Sequence, residues 1–337
     1  MERIIDVNLN RGTEALRVLE EISRFLIEDK QSSEMLKLIR HKLNNIQEKN
    51  YDTLLAARDT ENDIGIDIKN PDKRTNIENI FKANIKRLQQ VLRVLAEYSP
   101  ENADVFEDMR YKSYTLEKDM REKLTEKYKK LILENKKLYL VTNSDKFNTE
   151  DEFLDAVASA LEGGVDIVQL REKNMSANKI IEIGKKIKLL CAEYNAIFIV
   201  NDRVDIAYVL GADGVHLGQD DMDIFSARKI LGNNKIIGIS THAPEQALKA
   251  VNEGADYIGM GPVFSTPTKL GRDAVGLDYV KWVSENITIP AFAIGGINLE
   301  NVKEVVACGA KRIAVVRAIM NNKNPERCAE KFYSIIK

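Results

Sequence analysis

QLREK (169–173), VND (200–202), HLGQDD (216–221), GIST (238–241), GPVFSTPTK (261–269), AIGGI (293–297) and VVRA (315–318) each follow a short β-like run. A (β/α)8 barrel carries its working residues at the C-terminal ends of its strands, so phrases at this spacing describe one active-site rim. The runs are LYLVT from Leu138, VDIVQL from Val165, IFIVN from Ile197, GVHL from Gly214, KIIGIS from Lys235, YIGMG from Tyr257, PAFAI from Pro290 and RIAVV from Arg312. Alternating with amphipathic helices, they predict a TIM barrel over 137–337 that handles phosphate.

Upstream the period changes. From 1 to about 136 the apolar residues fall three and four apart, as in Ile4, Val7, Ala15, Leu16, Leu19, Ile22 and Phe25, which predicts an all-α helical domain over 1–125. It contains an internal repeat: Asn8, Arg11, Leu16, Arg17, Val18 and Leu19 recur 76 residues on as Asn84, Arg87, Leu92, Arg93, Val94 and Leu95. Weaker matches, Arg40, His41 and Lys42 against Arg110, Tyr111 and Lys112, extend it, so two related helical hairpins are expected. Residues 126–136 read as a charged helical linker, with Asp119 to Lys123 and Glu126 to Lys130 spaced for i,i+4 pairing. The polar stretch 57–65 between the repeats reads as a solvated connector.

Composition sets outer bounds. At 337 residues, 44% hydrophobic and 30% charged, the chain has room for two ordinary soluble domains. A net charge of -2 gives no general pull toward nucleic acid or anionic membrane, so any anion site must be local. No apolar run approaches the roughly 20 residues a membrane helix needs, and the N-terminus lacks a signal peptide's apolar stretch, so the cytoplasm is expected. Cys191, Cys308 and Cys328 are scattered and odd in number, which suggests small buried residues and neither disulfides nor a zinc site.

Along the rim, Gln169, Arg171 and Lys173 alternate, so all three side chains can project to one side, and two cations with an amide suit a polyphosphate. Asp202 and the Asp220–Asp221 pair end neighbouring strands, where carboxylates can share magnesium; helix capping is the alternative for one of the pair. Ser240 can donate to phosphate or cap the helix that begins near Pro244. Thr266, Thr268 and Lys269 occupy a loop too long and polar for a simple turn, framed by Pro262 and Pro267. Gly295 and Gly296, with Val316 and Arg317, end the last two strands, where barrels commonly cradle phosphate.

Taken together and in order, these phrases resemble thiamine-phosphate synthase, also called thiamine-phosphate pyrophosphorylase, over nearly the whole barrel. The resemblance implies condensation of hydroxymethylpyrimidine diphosphate with hydroxyethylthiazole phosphate, giving thiamine phosphate and diphosphate with magnesium. It implies that Gln169, Leu170, Arg171, Glu172, Lys173, Asn201, Ser240 and Lys269 hold the pyrimidine diphosphate and that Asp202 and Asp221 bind the metal. Thr266, Pro267 and Thr268, with Gly296, Val316 and Arg317, would line the thiazole phosphate site. Arg171, Lys173, Lys269 and Ser240 would carry the catalytic contacts, through a dissociative step whose pyrimidine cation the thiazole nitrogen captures. Arg317 departs from the family, many members of which carry serine there. The helical half resembles the N-terminal extension of some members, which implies no activity.

Two other readings remain. A thiazole tautomerase on the same barrel would use His242 for acid–base work, but Arg171, Lys173, Asp202, Asp221 and Lys269 would then have no diphosphate to serve. A ligand-responsive regulator would use the helical domain as its output. Small-molecule substrates are the expected partners, with no nucleic acid and no membrane, and a homo-oligomer is left open. The roles of His216 and His242 are also left open.

Overall fold

The structure, a computed structural model, describes residues 1–60, 76–266 and 273–336. It divides into two compact units, Met1–Lys127 and Tyr128–Lys337.

The first unit is built from α1 (Glu2–Glu21), α2 (Lys30–Lys49), α3 (Tyr51–Ala56), α4 (Ile77–Tyr98) and most of α5 (Ala103–Glu134). Of the apolar stripe read from the sequence, Ala15, Leu16, Leu19 and Ile22 are buried, whereas Ile4 and Phe25, at its two ends, are exposed. In the core Leu9, Leu16 and Leu19 of α1 join Leu36 and Leu43 of α2 and Leu88, Leu92 and Leu95 of α4, all buried. Asp29 starts α2 by accepting the Gln31 N–H at 3.2 Å and the Ser32 hydroxyl at 2.5 Å, and Asn76 starts α4 by accepting from the Asn79 N–H at 2.8 Å. At Gly12 the helices come so close that a Cβ would lie 3.0 Å from Val91 Cγ1 and 3.2 Å from Leu43 Cδ1. The repeat maps onto α1 with α2 and α4 with α5.

The charges of α5 pair differently from the spacing. Lys123 reaches Asp29 of α2 at 2.6 Å instead of Asp119, and Lys130 meets Glu134 at 3.8 Å instead of Glu126. The Asp29 side chain is largely out of water, so it competes for the Lys123 ammonium better than an exposed helical neighbour does, while Lys130 simply takes the i,i+4 carboxylate on its C-terminal side. Of the connector, Arg58 forms a two-pronged pair with buried Asp6 at 2.7 and 2.8 Å, while residues 61–65 lie outside the described residues.

In the second unit, β1 (Leu138–Val141), β2 (Ile167–Leu170), β3 (Ile197–Asn201), β4 (Gly214–Leu217), β5 (Ile236–Thr241), β6 (Tyr257–Met260), β7 (Ala291–Ile294) and β8 (Ile313–Val315) close in that order. All pairings are parallel. This is the expected α/β barrel after an all-α region, with strand limits within a residue or two of the runs. Alternation sorts each strand: Leu138 and Leu140 join the layer between strands and helices, while Tyr139 and Val141 point into the barrel. Inside, Phe292 packs edge to face against Tyr139 and Tyr257 with centroids 5.3 and 5.5 Å apart, and the two tyrosine rings lie tilted to each other at 5.9 Å. Gly238 makes room for them, since a Cβ there would lie 2.0 Å from Tyr257 Cζ.

An aspartate just before β2, β4 and β6 stitches the barrel's lower end. Asp166 accepts from the Leu138 N–H at 3.0 Å, Asp213 from Phe198 at 2.9 Å and Asp256 from Ile237 at 2.8 Å. Asp256 also receives Arg228 at 2.8 Å and Lys129 at 2.6 Å, a buried ionic cluster. Lys129 belongs to the 126–136 segment, whose Leu133 is buried in the barrel's inner cluster. That segment is helical as far as Glu134, and from Tyr128 on it belongs to the barrel unit. Cys191 and Cys328 are buried and Cys308 is partly so.

Candidate active site

The C-terminal ends of the strands surround a cavity of ≈ 720 Å³. Strand alternation puts Gln169, Arg171 and Lys173 on its wall, as their spacing predicts. The two residues between them point elsewhere. Leu170 is buried in the layer under the helices, and Glu172 accepts the Ser144 hydroxyl at 2.6 Å and the Thr142 hydroxyl at 3.3 Å. Burial pushes the Glu172 carboxyl above its ordinary range. Its side chain holds the loop after β1, so the side chains of Leu170 and Glu172 are not brought into the cavity.

Asn201, Asp202, Asp220 and Asp221 line the adjoining part of the wall, after β3 and β4. Asp202 takes a left-handed backbone (φ 58) fixed by its N–H donating to the His216 carbonyl at 2.8 Å. Burial, and then the neighbouring Asp221 carboxylate, raises the Asp202 carboxyl above the usual aspartate range. Asp221 is held by the Gly218 N–H at 2.7 Å, and Lys173 Nζ stands 3.9 Å from Asp202. Neither Asp220 nor Asp221 caps a helix, because Asp223 fills that role for the helix Ile224–Leu231. Two facing carboxylates repel, and a divalent cation between them removes that repulsion. Among the described residues no group of three or more His, Cys, Asp or Glu is placed to hold a metal. A two-carboxylate donor set fits magnesium, which keeps water and substrate phosphate oxygens in its remaining positions.

Ser240 is not a helix cap either: Ala243 occupies the cap position before Pro244. Its hydroxyl lies 2.9 Å from His216 Nε2, and Gln219 Nε2 donates to its carbonyl at 2.7 Å. His216 Nδ1 meets the Tyr257 hydroxyl at 3.0 Å, Tyr257 meets Tyr139 at 2.8 Å, and Gln169 donates to Tyr139 at 2.8 Å. A hydrogen-bonded chain thus crosses the barrel floor from Gln169 to Ser240. Burial raises the Tyr139 and Tyr257 hydroxyls well above an ordinary tyrosine, so both stay neutral. Both ring nitrogens of His216 are engaged in this chain. His242 uses Nδ1 on the Gly261 carbonyl.

Sequence reasoning missed Tyr139 and Tyr257 as site residues, and it placed Gln219 on the rim without a role. The tyrosines read as core because they sit among aliphatic strand residues, and the only signal was a hydroxyl at an inward position.

On the remaining side, Thr266, Gly296, Val316 and Arg317 line the cavity together. Arg317 donates to the Thr266 hydroxyl at 3.3 Å, so it points inward. Gly295 and Gly296 have positive φ, and a Cβ on Gly295 would lie 2.5 Å from Pro262 Cα. Only glycine lets the backbone pass this close to the β6 loop. Pro267, Thr268 and Lys269 lie outside the described residues.

Comparison with known proteins gives two family matches: thiamine monophosphate synthase over residues 138–319 and the ThiD2 family over residues 3–119. A thiamine-phosphate synthase of Synechocystis sp. is 43% identical over 330 residues, covering 96% of this chain and 92% of the relative. One of Gloeobacter violaceus is 43% identical over 336 residues, covering 96% and 94%. Among solved structures, the thiamine phosphate pyrophosphorylase of Pyrococcus furiosus is 40% identical with a TM-score of 0.56, covering 61% of this chain and 97% of that one.

Proposed function

This chain belongs to the thiamine-phosphate synthase family, and from that premise we propose how its barrel carries out the family reaction. The enzyme condenses 4-amino-2-methyl-5-hydroxymethylpyrimidine diphosphate with 4-methyl-5-(2-hydroxyethyl)thiazole phosphate, releasing thiamine phosphate and diphosphate. The observation that carries the residue assignment is that one cavity gathers Gln169, Arg171, Lys173, Asn201, Asp202, Asp221, Ser240, Thr266 and Arg317.

In this reading Gln169, Asn201 and Ser240 orient the pyrimidine diphosphate, with the Gln169-to-Ser240 chain fixing both of its ends. Asp202 and Asp221 hold magnesium, which when bound supplies Lewis-acid neutralisation of the diphosphate oxygens. As the bond between the pyrimidine methylene carbon and the diphosphate oxygen breaks, negative charge grows on the leaving group. Arg171 and Lys173, joined by Lys269, stabilise it. The electron-poor methylene carbon left behind is captured by the thiazole nitrogen, whose substrate is anchored by its phosphate near Thr266, Pro267, Thr268, Gly296, Val316 and Arg317. No side-chain nucleophile is needed, and the rate follows from holding the two rings face to face. Arg317, turned inward onto Thr266, is assigned to the thiazole phosphate. Leu170 and Glu172 contribute at most backbone contacts, because their side chains lie outside the cavity.

Among the described residues, the groups that the tautomerase reading would leave idle, Arg171, Lys173, Asp202 and Asp221, all line the cavity, which supports the synthase reading over it. No described helix is long and apolar enough to cross a membrane, and the cytoplasm is proposed as the location. Incubating the chain with both precursors and magnesium tests the reading; equimolar thiamine phosphate and diphosphate are expected. Isomerisation of the thiazole without condensation overturns it.

A further inference from the structure

The first unit contains a second cavity, an open groove of ≈ 520 Å³ between α1 and α4, remote in sequence from the barrel phrases. Arg11 and Glu14 of α1 face Arg87, Gln90, Val91 and Val94 of α4 across it. Arg11 and Arg87 are the same position of the internal repeat, 76 residues apart, so the groove is built twice over from one pattern.

Other repeat-related arginines satisfy themselves: Arg17 pairs with Glu21 at 3.7 Å, and Arg93 pairs with Glu97 and, at 3.2 Å, with Glu107. Arg11 and Arg87 differ. Among the described residues neither makes a hydrogen bond or ion pair, and Glu14 on the same groove makes none either. Position 90 carries Gln where the first repeat carries Glu14, so two guanidiniums share a groove with a single carboxylate. A guanidinium cannot shed its proton, and its planar fork matches phosphate oxygens two at a time. Inorganic phosphate alone would fill little of this volume, and Val91 and Val94 give an apolar wall beside the charged one.

We propose that the groove between α1 and α4 is a binding site for a small phosphomonoester. Its phosphate is held by Arg11 and Arg87, its body lies on Val91 and Val94, and Glu14 accepts from a donor on that body. Two repeat-equivalent arginines that line one groove, and that have no partner among the described residues, carry this inference.

Phenyl phosphate is the probe, titrated by calorimetry into the full chain, the double variant Arg11→Gln/Arg87→Gln and the control Arg17→Gln/Arg93→Gln. The barrel's own phosphate contacts are common to all three, so the groove is read as a difference. Wild type and control should bind one equivalent more than the Arg11/Arg87 double variant, and each single variant should weaken that equivalent about tenfold or more. Equal stoichiometry and affinity in wild type and double variant overturn the proposal. So does a double variant that changes sedimentation mass without changing phosphate uptake, which would assign the arginines to a second copy of the chain. Thiamine phosphate turnover, measured in parallel, should be unchanged in the double variant, so a failure of the groove is distinguishable from a failure of the barrel assignment.

Discussion

The hydroxyls of Tyr139 and Tyr257 lie 2.8 Å apart inside the barrel, midway along the hydrogen-bonded chain that joins Gln169 to Ser240. Tyr257→Phe leaves His216 Nδ1 without its buried partner. Loss of about 1–3 kcal/mol of stability is expected in urea denaturation. Because both ends of the chain are assigned to the pyrimidine, KM for the pyrimidine diphosphate should rise more than KM for the thiazole phosphate. Equal or absent effects on the two would detach the chain from substrate placement.

Asp256 is the one carboxylate among the described residues that pairs with both Lys129 and Arg228, in a largely buried cluster, and it also accepts the Ile237 N–H. Asp256→Ala strands two cations and a backbone donor, so a loss of about 3–5 kcal/mol is expected from chemical denaturation. Lys129→Met should cost less, since Arg228 still neutralises Asp256. The reverse order would show that Lys129 is held mainly by its own packing.

Magnesium dependence should follow the Asp202 and Asp221 pair. Asn at either position keeps the shape and removes a charge, so the magnesium concentration for half-maximal turnover should rise about tenfold or more. Asp220→Asn should move it less. Unchanged magnesium curves for both Asp202→Asn and Asp221→Asn would rule out these residues as the ligands.

Glu172 gives a pH signature. Its folded-state pKa is raised by burial, so protonation favours the folded state, and that stabilisation is complete below the ordinary carboxylate value and lost as pH rises through the folded value. Glu172→Gln removes this dependence. The melting-temperature difference, variant minus wild type, should therefore grow as pH increases from about 4 toward neutrality. A difference that is flat or shrinks over that range would mean the carboxyl is not desolvated.

The barrel was legible because two signals coincide: period-two burial along each strand and a polar phrase at each strand's C-terminal end. Gln169, Arg171 and Lys173 were placed correctly by alternation alone, and the same rule places Leu170 and Glu172 outside the cavity. The tyrosine chain was hidden because a tyrosine in a strand has the same pattern as any large apolar residue. Asp166, Asp213 and Asp256 read only as turn residues, because a bond to the preceding strand needs the closed barrel to exist. The ion pair of Lys123 went astray for a related reason: helical spacing offers Asp119, and tertiary structure offers Asp29, whereas Lys130 took the helical carboxylate on its other side, Glu134. In the helical unit the repeat announces two related hairpins, but which of its arginines find carboxylates among the described residues depends on the tertiary neighbours.

The central claim is that the barrel alone carries the synthase, and turnover of a fragment beginning at Glu126 tests it most directly. That start keeps Lys129 and Leu133, which pack within the barrel unit. Given pyrimidine diphosphate, thiazole phosphate and magnesium, the fragment should make thiamine phosphate and diphosphate in equal amounts at a rate close to that of the full chain. A fragment that is folded by circular dichroism yet makes no thiamine phosphate, while the full chain does, would contradict the claim.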